Sequence, residues 1–297
     1  MFGLWRLRVW RVRRRVAAQL RAGRAAVARF PTLAERRPHG LASPLVVTLT
    51  SYPPRFPTLA LTLKSLLDQS VRADATILWI GREHAVALPA DVRALTAHGL
   101  TIELCEDMRS FTKLVPALIA EPNATYVTAD DDLYYPPDWL ERLVVAAKAH
   151  PGDVIGARVH VALRQADGAL RPYREWEMES AQIEDRAPDR LIFPTGVGGV
   201  LYPPAALDPR VTDKARFLAL CPRADDVWFF WMARLAGTRQ RGLGDPRPLL
   251  NWDGTQEVGL LNDNLLNDGN DPQIAAMEAA FGPAPMPADA MPALAAV

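Results

Sequence analysis

The sequence predicts an α/β domain on a mostly parallel sheet with helices on both faces. Short apolar runs rich in β-branched residues alternate with segments of helical period. The connections between them are short, as parallel crossover units require. Hydroxyl and acidic residues follow directly on the apolar runs, and ligands of such sheets bind beyond the carboxyl ends of the strands. The 297 residues, 49% apolar and 23% charged, suit one large globular domain or two small ones. Two cysteines, Cys105 and Cys221, rule out a disulfide scaffold and a cysteine-based zinc cluster.

Residues 1–43 read as a basic arm. Trp5, Val9, Val12, Val16 and Leu20 fall on one helical stripe, with Arg6, Arg14, Arg21 and Arg24 away from it. Such a helix suits an anionic membrane surface, engaged through residues 1–30. Packing on the body explains the stripe as well, and an Arg-rich, acid-poor segment also has the composition of a transit peptide. In the body, 45–50, 75–81, 100–105 and 124–129 read as strands. Helical segments follow at 56–69, 92–98, 112–120 and 137–150, and 153–163 is extended again. The body spans 44–282, and four prolines in the last fifteen residues make 283–297 a loose tail.

Net charge is zero but segregated. Eleven arginines and one acid in residues 1–40 leave the arm at +10 and the remainder at −10. An acidic body is no nucleic-acid-binding surface. No apolar run approaches the ~20 residues of a membrane span, so the expected location is cytoplasmic, peripheral on the inner face of the cell membrane if the arm binds lipid.

Asp130-Asp131-Asp132 directly follows the fourth strand. Alternation along an extended chain points Asp130 and Asp132 one way and Asp131 the other. Two carboxylates side by side form a hard-oxygen site for Mn²⁺ or Mg²⁺, while a solvated turn capping the next helix explains the triplet equally well. Asp225-Asp226 opens an apolar helix, where capping and the helix dipole are the ordinary explanation. Gly196, Gly198 and Gly199 lie in PTGVGGVLYPP, which lacks the lysine and Ser/Thr of a phosphate loop.

Five stretches together resemble nucleotide-sugar glycosyltransferases of the GT-A fold, in particular bacterial family-two enzymes. They are VVTLTSYPPRFPTLALTLKSLLDQS (46–70), RSFTKLVPAL (109–118), YVTADDDLYYPPDWLERL (126–143), PTGVGGVLYPP (194–204) and ADDVWFFWMARLAG (224–237). The resemblance implies a metal-dependent, inverting transfer of a sugar from a nucleoside diphosphate donor to a hydroxyl acceptor, a surface glycan or glycolipid. It places Asp130 and Asp132 on the divalent ion and Asp131 near the ribose. Thr50, Ser51, Tyr52 and Arg55 match the nucleotide-contacting turn, Lys113 offsets diphosphate charge, and Gly198 and Gly199 lie under the sugar. The base is one of Asp225 and Asp226, with Asp226 favoured. Tyr173, Trp176 and Glu179 fall in the region that covers the acceptor, and 261–273 reads as a flap or an Asx-turn loop.

Where relatives carry an acidic pair after the second strand, this sequence has Gly81-Arg82-Glu83-His84. A sugar nucleotidyltransferase is the nearest alternative, but the first loop, TSYPPR, has none of the glycines that class uses. A catalytically silent binding protein is the other, and both acidic elements are present.

Overall fold

The computed structural model describes residues 2–33, 35–185, 187–255 and 269–286. A seven-stranded sheet forms the centre. Its strands are β1 (Leu45–Ser51), β2 (Ala75–Gly81), β3 (Leu100–Cys105), β4 (Thr125–Thr128), β5 (Val154–Gly156), β8 (Val200–Tyr202) and β9 (Gln240–Gly242). They run in the order β9-β5-β8-β4-β1-β2-β3. All neighbours are parallel except β8, which lies antiparallel between β4 and β5. The mostly parallel sheet expected from the sequence is therefore present, with one strand reversed.

Helices cover both faces. On one side α2 (Phe56–Leu67), α3 (Ala90–Ala94) and α5 (Trp139–Ala149) bury Leu59, Leu63, Val92, Leu140 and Leu143. On the other, α4 (Val115–Ala120), α6 (Lys214–Leu220), α7 (Asp225–Leu235) and α8 (Asp271–Phe281) enclose Phe111, Phe217, Trp228 and Met277. Helix α7 is buried from Val227 to Arg234, so its apolar surface runs all the way round, as a central helix requires. Both cysteines are buried and free.

The expected single extended segment 153–163 is two strands in two sheets. It breaks after Gly156, where any side chain would meet Pro194 and Val159 at 2.9 Å. β6 (Val159–Leu163) then leaves the main sheet and pairs antiparallel with β7 (Arg190–Pro194). Of the loop expected at 261–273, residues 261–268 lie outside the described residues and 271–273 form the first turn of α8. In the C-terminal segment, Ala284 is fully buried in the core, while 287–297 lie outside the described residues.

The arm forms one helix, α1 (Phe2–Val27). Val16 and Leu20 are half-buried, Gly23 and Val27 buried. A Cβ at Gly23 would come within 2.8 Å of the Tyr134 ring, so the helix root lies directly on that side chain. No helix among the described residues is long and apolar enough to cross a membrane.

Candidate functional site

The carboxyl ends of β1 and β4, the turn before α4 and the start of α7 converge on one group of charges. Asp130-Asp131-Asp132 lies just past β4 and bends there, so strand alternation does not set the side-chain directions. Their partners do. Asp130 Oδ1 is 3.2 Å from Lys113 Nζ, and its Oδ2 accepts a 3.3 Å hydrogen bond from the Gly198 amide. Asp131 accepts from the Ser51 hydroxyl at 2.6 Å. Asp132 accepts from Arg55 Nη1 at 2.6 Å. Two of the three thus turn toward the first loop and one toward Lys113.

Lys113 joins this group to the second acidic pair, lying 3.2 Å from Asp225 Oδ2 as well. Its main-chain carbonyl is held at 2.6 Å by the Thr48 hydroxyl, which in turn accepts from the Trp79 indole. Burial works against the ammonium charge, but Asp225 and Asp130 more than reverse that and hold it above its ordinary value. Arg55, similarly buried, stays charged beside Asp132 and Asp131.

The carboxylates bear the cost of enclosure. Asp131 is pushed up to about 7, by burial first and by Asp132 and Asp130 in addition, against the Ser51 hydrogen bond and Arg55. Burial and then Asp130 raise Asp132 above its ordinary value, with Arg55 opposing. Asp226 is half-buried as a residue, yet the protein closely surrounds its carboxyl group. Burial and then Asp225 push it up to about 7 against Lys113. Among the described residues no side chain pairs with Asp226 as Lys113 does with Asp225; Asp226 accepts a hydrogen bond from the amide of Val227.

Five carboxylates therefore surround two cations, a surplus of three negative charges when all are ionised. The donor set is entirely hard oxygen, the chemistry Mn²⁺ and Mg²⁺ take. Asp130 and Asp132 lie close enough for Asp130 to raise Asp132. By donor chemistry Asp130 and Asp132 suit a divalent ion, while in this structure Lys113 and Arg55 pair with them. Among the described residues, the group of three whose ligand atoms lie within 4.8 Å of one another is a different one, Glu83, His84 and Asp107 at the ends of β2 and β3, with both acids exposed.

Several expected residues prove to have other work. The Thr50 hydroxyl donates to the Trp79 carbonyl at 2.9 Å, within the sheet. Tyr52 is 38% exposed at the rim. Gly198 faces Asp130, but Gly199 answers to packing: with φ at 103°, its Cβ would lie 2.6 Å from the Trp139 ring. The glycine that abuts the charges is Gly196, whose Cβ would stand 3.2 Å from Lys113 Nζ. Tyr173 and Trp176 are not open for stacking on a sugar; both are buried, 4.8 Å apart, with Trp176 edge-on to Phe193. Glu179 pairs with Arg158 at 2.9 Å.

Sequence reasoning missed three supports. The Tyr135 hydroxyl accepts from the Asp130 amide at 2.7 Å. The Trp139 indole donates to the Gly198 carbonyl at 2.7 Å. Gln273, in the first turn of α8, accepts from the amides of Arg223 and Ala224 at 2.9 and 3.0 Å and so caps α7 from outside. The two aromatics stood in the motif that holds the triplet. Gln273 gave no local signal, since its partners lie about fifty positions away.

No family model matches the sequence, and no curated protein does. Solved structures similar to the chain include S. aureus TarS 1-349, at 14% identity and a TM-score of 0.44, covering 80% of this chain and 73% of that one. TarS 1-349 in complex with UDP is similar at 12% identity and a TM-score of 0.43, covering 69% of this chain. The chain spans 59% of the length of that UDP-bound structure. A CMP:2-keto-3-deoxy-manno-octonic acid synthetase complexed with CTP is similar at 13% identity and a TM-score of 0.37, covering 67% and 89%. Likeness at this level assigns no activity and no residue roles.

Proposed function

We propose that the chain transfers a sugar from a nucleoside diphosphate sugar to a hydroxyl of a glycan or glycolipid acceptor, inverting the anomeric configuration. The observation that supports this reading is the single charge group in which Lys113 stands between Asp130 and Asp225, 3.2 Å from each. A diphosphate requires cations at its oxygens, and an attacking hydroxyl requires a carboxylate within reach; this group supplies both kinds side by side.

Asp226 is the base. Asp225 is occupied by Lys113, whereas Asp226 has no ion pair among the described residues and accepts from the Val227 amide. A carboxyl group that titrates near neutrality is a stronger base than an ordinary one and is still about half ionised at pH 7. Lys113, fully charged, faces the departing diphosphate and offsets the charge it develops. Ser51, Tyr52, Arg55 and Asp131 hold the nucleoside end, and Gly196 and Gly198 let the main chain approach the sugar. Asp130 and Asp132 would hold Mn²⁺ or Mg²⁺, which supplies positive charge that stabilises the leaving nucleotide.

The test is release of nucleoside diphosphate from a panel of nucleotide sugars, with and without candidate acceptors. One donor should be turned over by the native chain and be bound but not turned over by Asp226→Asn. A variant that turns over as fast as the native chain removes Asp226 from the chemistry.

A further inference from the structure

The arm is a strongly charged feature that the catalytic reading leaves unused. Its C-terminal part is a packing element: Val16, Leu20, Gly23 and Val27 face the body, and Arg24 pairs with Asp253 at 2.8 Å and lies over the Trp252 ring. The preceding fourteen residues of α1 carry Arg6, Arg8, Arg11, Arg13, Arg14 and Arg15 and no acid. Arg11, Arg14 and Arg15 are exposed. Trp10 is 52% exposed, with the Arg14 guanidinium 4.7 Å from its ring centre. In the sequence, Trp5, Val9 and Val12 recur at the same helical spacing as Val16 and Leu20.

We propose that residues 2–15 of α1 are a docking surface for an anionic phospholipid bilayer. Two properties select this occupant. A nucleic acid would use the arginines and leave the apolar positions without a role, whereas a bilayer interface takes up both. Tryptophan also favours the headgroup level, where its ring is half apolar and half wet. The charge of the remainder, −10 outside residues 1–40, repels such a surface, so attachment falls to the arm alone.

The structure fixes what attachment does. The helix root sits on Tyr134, two residues past the acidic triplet, and on Trp252, whose amide donates to the Asp132 carbonyl at 3.0 Å. Fourteen helical residues reach about 21 Å from that root. A bilayer held by the arm is therefore held at a set distance and direction from the charge group. The proposal does not rest on the catalytic reading and stands or falls separately from it.

Flotation of the full chain with vesicles tests it. Phosphatidylcholine vesicles with an added phosphatidylglycerol fraction should carry the protein upward, and pure phosphatidylcholine vesicles should not. The triple variant Arg11→Glu/Arg14→Glu/Arg15→Glu alters only exposed positions and should lose about a hundredfold in partitioning, given the contribution of each basic residue near an anionic surface. Deletion of 2–15 should abolish flotation, with an unchanged circular dichroism melt showing that the body remains folded. Equal recovery on both vesicle types, flotation of the triple variant at the native level, or no flotation at all would overturn the proposal. So would tighter binding to a single-stranded RNA oligomer than to the anionic vesicles under the same salt.

Discussion

The two acidic elements of this protein have the same chemistry but are held in opposite ways. Asp130-Asp131-Asp132 lies on a bend past a strand, and each carboxylate has a near partner: Lys113, Ser51 or Arg55. Asp225-Asp226 opens a buried helix, where Lys113 takes one carboxylate and the other is left with a main-chain amide. Asp131 and Asp226 both reach about 7 with burial as the first cause. The oppositions differ: a hydroxyl and a guanidinium hold Asp131, whereas the shared ammonium and main-chain amides oppose at Asp226. A carboxylate that donors fix in place is suited to holding a ligand. One enclosed without a partner is suited to accepting a proton.

That contrast breaks most visibly at Asp226. Asp226→Asn should lower turnover by about 10²–10⁴-fold, the usual worth of a positioned base, while donor binding measured by calorimetry stays close to native. Asp131→Asn should do the reverse, weakening binding more than turnover. Equal losses in both variants would erase the distinction between the two elements.

Lys113 is the link between them, and removing it strands two carboxylates at once. Lys113→Met should cost about 3–5 kcal/mol in urea unfolding, the range for breaking a buried ion pair from one side. Lys113→Arg should recover part of the charge but press on Gly196. A loss below 1 kcal/mol in Lys113→Met would mean that water already screens the trio.

The dependence of stability on pH separates the elements more finely. Asp131 and Asp226 have folded values near 7 against ordinary values near 3.8, so between these limits these two groups bind more protons in the folded chain, while His160, held down to about 3 by burial, opposes with one. Stability should then fall as pH rises from about 4 to about 7 and level off above. Asp226→Asn should flatten that slope, with its melting temperature gaining on the native protein at pH 8 and not at pH 4. A native melt that climbs steadily from pH 5 to pH 8 would contradict both raised values.

Most of the framework was legible because it is local. Apolar β-branched runs gave β1 to β4 nearly to the residue, and the four leucines at helical spacing in 56–69, Leu59, Leu63, Leu66 and Leu67, are all buried in α2. The triplet stood out because it directly follows an apolar run and Asp225-Asp226 because it opens an apolar helix, while Lys113 was marked by the resemblance. What stayed hidden depends on closure in three dimensions. The break at Gly156 is forced by Pro194, nearly forty residues on. The reversed strand β8 is too short for periodicity to reveal its direction. Helix α8 begins in a stretch of Asn, Asp and Gly that reads locally as a loop, and its role as a cap for α7 rests on one glutamine. Among the glycines, the resemblance pointed to Gly198 and Gly199; the packing shows that Gly199 lies against Trp139 and that Gly196 faces the charges.

The most direct measurement is a thermal-shift titration of the full chain against nucleotide sugars, each with Mn²⁺ and with EDTA. The account predicts that one donor class raises the melting temperature with Mn²⁺, that EDTA removes the rise, and that Asp130→Ala/Asp132→Ala abolishes it while the variant remains folded. Stabilisation that survives both EDTA and the loss of the two aspartates would contradict a divalent ion at this site. A folded native chain stabilised by no nucleotide sugar would contradict the donor site itself.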